Sequence, residues 1–161
     1  MPRGVHKLGD TYFHIGEMMV HAQGEMAPDL PRAVKGIKVQ AQGNRLHILH
    51  ATQFVETPGK IIGAYLVHYS DGSNERIPIV YGRNIVNWWR FQSGKEEPTE
   101  ARVAWTGSSD TTDMNQAIKI RLFDLTWTNP HPEKEVAALD ILSAGTRCDP
   151  FLVAVTLERD R

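Results

Sequence analysis

The sequence predicts an all-β fold, a two-sheet antiparallel β-sandwich of jelly-roll type, formed by a single domain over residues 1–161. Short runs rich in β-branched and aromatic residues recur along the chain, and Gly, Pro, Asp and Asn separate them at near-regular intervals. No helical periodicity is sustained, and no strand–helix–strand alternation indicates a parallel sheet. At this length the domain can bury a core without disulfide bonds.

The clearest predicted element is a β-hairpin in "IIGAYLVHYSDGSNERIPIVYG", residues 61–82. Its first arm, 61–69, is largely apolar on both faces, which predicts a central strand. Residues 70–73 form the turn, where Gly72 can adopt positive φ. The second arm alternates, and Pro78 lacks an N–H, so one side of that strand is expected to be an edge or a bulge.

The remaining predicted strands follow the same alternation. The segment "EVAALDILSA" is ambiguous, because a short apolar run is also compatible with one or two helical turns. The N-terminal "YFHIGEMMVHA" adds one or two short strands around Gly16. The other predicted strands are 36–40, 45–54, 101–107, 117–127, 135–144 and 151–158.

Composition excludes some partners. The formal net charge is −1 and the basic residues are scattered, so nothing indicates binding to nucleic acid or an anionic membrane. No apolar run is long enough for membrane insertion, and the N-terminus lacks the apolar segment of a signal peptide. Cys148 is the only cysteine, so no intrachain disulfide can form. The protein is either intracellular or a domain of a longer exported chain.

Several segments together resemble a family of bacterial galactose-binding-like β-sandwich domains. They include "LPRAVKGIKV", "RLHILHAT", "GAYLVHYSDGSNERIPIVYG", "LFDLTWTNPHPEKEV" and "DPFLVAVTLE". Such domains are appended to extracytoplasmic or regulatory proteins and to polysaccharide-degrading enzymes. The resemblance covers nearly the whole chain and implies a non-catalytic accessory module outside the cytoplasm that binds carbohydrate. It carries no motif that assigns sugar-contacting residues.

The candidate carbohydrate site is built around Trp88 and Trp89, with Arg83, Asn84 and Asn87 as polar partners. Sugars are recognised by flat aromatic faces with amide or charged groups nearby. Adjacent side chains on a strand point to opposite faces, so one indole is expected in the core and the other in solvent. The alternative is that both tryptophans only pack.

The segment "TNPHPEKEV" provides a further candidate, His131, held between two prolines that stiffen the loop. A rigid loop presents a ligand-binding group at low entropic cost. A corner between two strands is the structural alternative for the same composition.

No cofactor is predicted. His47 and His50 fall on opposite faces of one strand and cannot bind one ion together, and the other histidines lack metal-ligand spacing. The loop "GSSDTTDMNQ" contains Asp110, Asp113 and Asn115, whose oxygens are ligands of the kind that calcium takes. A solvated loop explains the same residues.

Catalysis is not predicted. No Gly-x-Ser-x-Gly elbow is present, and nothing marks Cys148 as an activated nucleophile. Asp124 is unusual because it lies in the middle of an apolar strand, where it needs a partner such as Arg121 or a backbone donor. One unusual acid is not the carboxylate pair of a glycosidase.

The sequence therefore predicts a non-catalytic binding module that recognises carbohydrate through loops at one end of the sandwich. The alternative is a structural or protein-interaction module that packs against other domains of a longer chain. A concave surface with an exposed tryptophan favours carbohydrate binding, and burial of every tryptophan favours the alternative.

Overall fold

The computed structural model describes residues 3–91, 94, 96–108 and 118–160. This part of the chain is built from antiparallel β-strands, which confirms the predicted all-β class. The strands are β1 (Gly4–Leu8), β2 (Thr11–Ile15), β3 (Val20–His21), β4 (Ala33–Ala41), β5 (Arg45–Gln53), β6 (Ile61–Tyr69), β7 (Asn74–Val80), β8 (Trp89–Phe91), β9 (Arg102–Gly107), β10 (Ile118–Thr128), β11 (Val136–Ser143) and β12 (Asp149–Glu158).

Two sheets pack together in a sandwich-like arrangement. One has the strand order β4-β11-β6-β7. The other has the order β3-β12-β5-β10-β8, and β9 pairs with β10 in addition. Ile120 pairs with both Trp89 and Gly107, so β8 and β9 lie on opposite sides of β10. The chain therefore crosses between the two sheets several times.

The hairpin is confirmed. β6 lies between β11 and β7, as expected for a central strand, and β7, which contains Pro78, is an edge strand. The register shifts between Ile61 and Gly63. A side chain at Gly63 would collide with the backbone carbonyl of Leu142 on β11, so a glycine is needed where the two strands approach.

Most of the other strands lie where the sequence places them, and the ambiguous segment is strand β11. β1 and β8 were not predicted. β8 has only three residues, too few for alternation to be recognised. β1 exposes the side chains of Val5 and Lys7, which weakens its apolar pattern.

The core lies between the two sheets, and most of its buried side chains are apolar. Leu46, Ile48 and Phe123 come from the larger sheet, and Val67 and Ile79 from the smaller sheet; each is 0 % exposed. On the outer face of the larger sheet, the β1–β2 hairpin forms a third layer. It covers β12, and the Thr156 hydroxyl donates to the Tyr12 carbonyl at 2.6 Å.

One polar pair is buried inside the core. His50 is fully buried, with Nε2 2.9 Å from the Asn84 carbonyl and Nδ1 3.0 Å from the Tyr65 hydroxyl. A carbonyl only accepts, so Nε2 carries the proton and Nδ1 accepts from Tyr65. Burial lowers the pKa of His50 to about 4, so the imidazole is neutral at pH 7.

Within the described ranges, the structure contains no helix long and apolar enough to cross a membrane.

Candidate functional site

A cavity of about 730 Å³ lies on the outer face of the larger sheet. Its floor is formed by β5, β10 and β12. The β1–β2 turn and residues 99–102 form its walls. The cavity is within the usual size range of small-ligand sites, roughly 300–1,000 Å³.

Strand register brings the polar side chains of the floor together. His47 on β5 is directly opposite Thr126 on β10 and Thr156 on β12. Because alternate residues share a face, Asp124 and Glu158 lie on this face as well. Leu46 and Ile48 point the other way, into the core.

His47 lies between two carboxylates. Its Nδ1 is 3.2 Å from Asp124 Oδ2, and its Nε2 is 2.9 Å from Glu158 Oε2. The hydrogen bond to Asp124 is the main cause that raises the pKa of His47, and Glu158 raises it further, while burial opposes both. Carboxylate oxygens accept hydrogen bonds, so this arrangement favours the protonated, charged form of His47.

Two arginines extend this network to the cavity rim. Arg102 donates to Asp124 at 3.2 Å and to Asp10 at 2.7 Å. Arg45 donates to both oxygens of Glu158 at 3.0 Å and to Asp160 at 2.7 Å. Arg45 first, and His47 second, lower the pKa of Glu158 to about 2. Acidic and basic groups therefore alternate across the cavity.

Asp124 is buried and has polar partners, but Arg121, one of the two partners considered from the sequence, is not among them. Arg121 is an odd number of residues away on the same strand and lies on the opposite face. Asp124 instead contacts His47, Arg102 and the Thr11 hydroxyl, which donates at 3.3 Å. These partners come from three other strands, so the sequence of β10 alone could not identify them.

Tyr12 contributes to the cavity rim through its backbone, because its carbonyl accepts from the Thr156 hydroxyl at 2.6 Å. Its side chain is 61 % exposed, and since the adjacent Thr11 side chain faces His47 and Asp124, the Tyr12 ring points to the outer side of the hairpin. The cavity surface itself is formed mainly by groups that donate and accept hydrogen bonds, together with Ala101.

The two adjacent tryptophans lie in different environments. Trp88 is half-buried and packs edge-on against Phe151, with 5.3 Å between ring centroids. Trp89 is 39 % exposed and pairs with Ile120 of β10. Trp89 is therefore the indole that can contact a ligand. Trp105 and Trp127 are half-buried against the core.

The polar residues predicted near the tryptophans have structural contacts. Asn84 is buried, accepts from the Val80 N–H at 2.7 Å and donates to the Pro78 carbonyl at 3.1 Å. The Asn87 side chain accepts from the Trp89 N–H at 3.1 Å. Arg83 is exposed and pairs with Glu100 at the edge of the large cavity.

His131 lies apart from the tryptophans. It follows β10 beyond Thr128 and packs edge-on against Tyr69, whereas Trp89 pairs near the other end of the strand, at Ile120. Eight residues of β10 separate these positions, which is roughly 27 Å at 3.3–3.4 Å per residue. His131 and the tryptophans therefore do not form one site.

Sequence reasoning missed His47, Glu158 and Tyr12 as site residues. A signal was present, because three strands each carry polar side chains at alternate positions within apolar runs. These are Arg45 and His47, Asp124 and Thr126, and Thr156 and Glu158. Their convergence depends on which strands are neighbours, and this is a property of the sheet order.

The structure gives no support for a metal site in the part of the chain it describes, where no group of three or more His, Cys, Asp or Glu side chains could hold an ion. The calcium candidates Asp110, Asp113 and Asn115 lie outside the described residues.

No family model matches this chain, and no curated protein matches it.

Proposed function

We propose that the protein is a non-catalytic binding module that recognises carbohydrate in the cavity beneath the β1–β2 hairpin. The supporting observation is the cavity of about 730 Å³ whose lining carries the charged network of Arg45, His47, Arg102 and Glu158. The carboxylates accept from the hydroxyls of a pyranose and the guanidinium groups donate to them.

The charge pattern favours a neutral sugar. Each cation of the network is already paired with a carboxylate: Arg102 with Asp10 and Asp124, and Arg45 with Glu158. A charged ligand would have to compete with one of these ion pairs, whereas a hydroxyl can add a hydrogen bond to a group that keeps its partner.

The same geometry favours binding over catalysis. Both ring nitrogens of His47 are already in contact with carboxylate oxygens, so neither is free to take a proton from a ligand in the cavity, as a general base must. The cavity lining within the described residues contains no serine or cysteine that His47 could activate.

The proposal also includes the finer architecture, a galactose-binding-like jelly roll. It rests on the sequence resemblance, and two antiparallel sheets linked by repeated crossings are compatible with it.

The experiment is a glycan array followed by calorimetric titration of the best neutral sugar. Glu158→Gln is expected to weaken binding about tenfold, because a hydrogen bond to a charged group contributes about 1.5 kcal/mol. Trp89→Ala is the control, since Trp89 is exposed but does not line the cavity.

Two results would contradict the proposal. The first is that no neutral sugar binds to folded protein at millimolar concentration. The second is that Trp89→Ala abolishes binding while Glu158→Gln has no effect, which would place the sugar site at Trp89, as the sequence predicted.

The second candidate is an interaction module that packs against other domains of a longer chain. It is favoured by exposed apolar side chains near the N-terminal hairpin: Met18 is 87 %, Val5 67 % and Met19 38 % exposed. Exposed methionines are typical of adaptable protein-binding surfaces. Replacing Met18 and Met19 with Ser should leave sugar binding unchanged but abolish association with a flanking domain.

A further inference from the structure

Three exposed cations share the outer face of the smaller sheet, on the side of the sandwich away from the cavity. They are Lys35 and Lys38 on β4 and Arg76 on β7, the two edge strands of that sheet. None of them takes part in an ion pair with another described residue. By contrast, the arginines at the cavity each contact carboxylates.

The two lysines point outward because the residues before them point inward. Val34 and Ile37 pack against the core, and Lys35 and Lys38 follow them directly in β4. Successive side chains of a strand alternate between its two faces. Both lysines therefore lie on the outer face.

Arg76 lies on the same face. The next residue on β7, Ile77, is buried in the core, so Arg76 points outward. Leu66 on β6 pairs with both Arg76 and Asp140, and Asp140 lies opposite the bulge of β4 that contains Lys35. Neighbouring strands are about 4.8 Å apart, so the three steps from β4 to β7 separate Lys35 from Arg76 by about 14 Å.

The carboxylate within this face is enclosed. Asp140 is 5 % exposed, its Oδ2 is 2.9 Å from His68 Nε2, and its Oδ1 accepts from a backbone N–H of β4 at 2.8 Å. Glu135, which precedes β11, lies beyond the row of His68, where its carbonyl accepts from the Ser70 N–H. The three cations therefore face solvent without a carboxylate of their own.

Aliphatic side chains lie between the cations. Leu66 is half-buried in the row between Asp140 and Arg76. The neighbouring row across the four strands consists of Ala33, Leu142, Ala64 and Pro78. The face is thus partly apolar at its centre and basic along both edges.

We propose that this face binds an acidic polysaccharide built of uronic acids, which lies across the strands from β4 to β7. Its carboxylates would pair with the lysine ammonium groups and the Arg76 guanidinium, and the C–H groups of its rings would contact Leu66 and Leu142. Three cations are few for nucleic acid, since proteins that bind it make about 6–10 phosphate contacts.

An acidic peptide fits this face less well. Extended peptides dock on sheets by adding a strand at an edge. The β4 edge is irregular, because Gly36 and Gln40 have left-handed φ values of 72° and 54° and the register to β11 shifts twice. Pro78 lies on the other edge strand, β7. Such edges discourage strand addition, so a peptide would be held by charge alone.

The proposal does not rest on the cavity as a sugar site, because none of these residues lines the cavity. Binding at either place can fail without the other. The sequence gave no indication of this face, since Lys38 and Arg76 are far apart in the chain and meet on one surface only through the strand order.

The experiment is a titration of the ¹⁵N-labelled chain with oligogalacturonate, followed by NMR and calorimetry. The backbone amides of Lys38, Leu66 and Arg76 are expected to shift with saturation, and those of the cavity floor, such as Thr126, to stay unchanged. Binding should weaken as salt is added, because exposed charges are screened. The carboxyl-reduced oligomer, which has the same rings without the charge, should leave these amides unchanged.

Variants assign the binding to this face. Replacing Lys35, Lys38 and Arg76 together with Gln should weaken binding at least about tenfold, since each exposed ionic contact contributes about two- to threefold. These exposed side chains are not part of the core, and thermal unfolding checks that the variant folds. Glu158→Gln, which tests the cavity, should have no effect. The matched control has the same net charge and replaces with Gln three exposed cations elsewhere: Lys7, Lys119 and Arg147.

Four results would overturn the proposal. Folded protein that does not bind oligogalacturonate would exclude the ligand class. Equal binding of the carboxyl-reduced oligomer would exclude recognition of the carboxylates. Equal losses in the two triple variants would show that only net charge matters. An oligoglutamate with the same number of carboxylates that binds as tightly would show that the face recognises acidic chains of any kind, peptides included.

Discussion

His50 is expected to make folding stability depend on pH between neutrality and pH 4. The imidazole is fully buried and neutral, and its pKa falls from the ordinary 6.5 to about 4 because burial disfavours the charged form. In the unfolded chain the same side chain is protonated below about pH 6.5. The unfolded state therefore binds the additional proton between these two values, and the folded state loses stability as the pH falls through this range.

The magnitude follows from the two pKa values. The interval from 6.5 to about 4, at about 1.4 kcal/mol per pH unit, corresponds to about 3 kcal/mol. Below about pH 4 both states are protonated and this contribution no longer changes. At pH 7 it is fully present.

The assay compares wild type with His50→Gln by urea unfolding, monitored by tryptophan fluorescence, at intervals from pH 7 to pH 4. Glutamine can still donate to the Asn84 carbonyl and accept from the Tyr65 hydroxyl, but it does not titrate. Wild type should lose about 3 kcal/mol more than the variant over this range. The comparison is needed because acidic groups such as Glu158, with a pKa of about 2, also reduce stability in acid.

Parallel stability curves for wild type and His50→Gln would refute this reasoning. A His50 ring signal that titrates near pH 6.5 in the folded protein would refute it as well, because it would show that the imidazole is charged without opening the core.

Three further predictions follow from the contacts. His47 has a raised pKa, so the folding stability that it contributes is full below pH 6.5 and is lost as the pH rises above that value. His47→Gln should therefore lower the free energy of unfolding in urea more at pH 6 than at pH 9. An equal loss at both pH values would contradict the ion pairing. Gly63→Ala should lower the free energy of unfolding by about 1–3 kcal/mol, and with it the melting temperature, because the added Cβ meets backbone atoms. The control Gly16→Ala, where the added Cβ has no atom nearby, should change the melting temperature little. Trp88→Ala should lower the free energy of unfolding by at least about 2 kcal/mol and Trp89→Ala by under about 1 kcal/mol, since only Trp88 packs against the core. Equal losses in thermal unfolding would show that both indoles are structural.

Local pattern was enough to place most strands. The 61–82 hairpin was predicted with its turn and its proline-bearing edge strand, because alternation, turn residues and a missing N–H all act within a few residues of each other. β8 was missed because pairing with β10, rather than its own three residues, makes it a strand. The calcium candidates Asp110, Asp113 and Asn115 stay untested, because they lie outside the described residues.

Function was less accessible to sequence reasoning. The sequence predicted that Trp88 and Trp89 lie in different environments. It could not show that Trp88 is the one that packs against Phe151. Asp124 was recognised as unusual, yet its partners were not identified. In both cases the decisive neighbour is distant in the chain.

The sequence by itself determined the antiparallel β architecture and the opposite orientation of His47 and His50, because side-chain alternation along a strand is a local property of extended backbone. Only the tertiary structure decided that His47 meets Asp124 and Glu158 beneath the N-terminal hairpin, and that Arg121 is buried without a carboxylate partner among the described residues. These contacts join residues up to 111 positions apart, as between His47 and Glu158. They form because the strand order β12-β5-β10 places three strands side by side, and no short segment of the chain encodes that order.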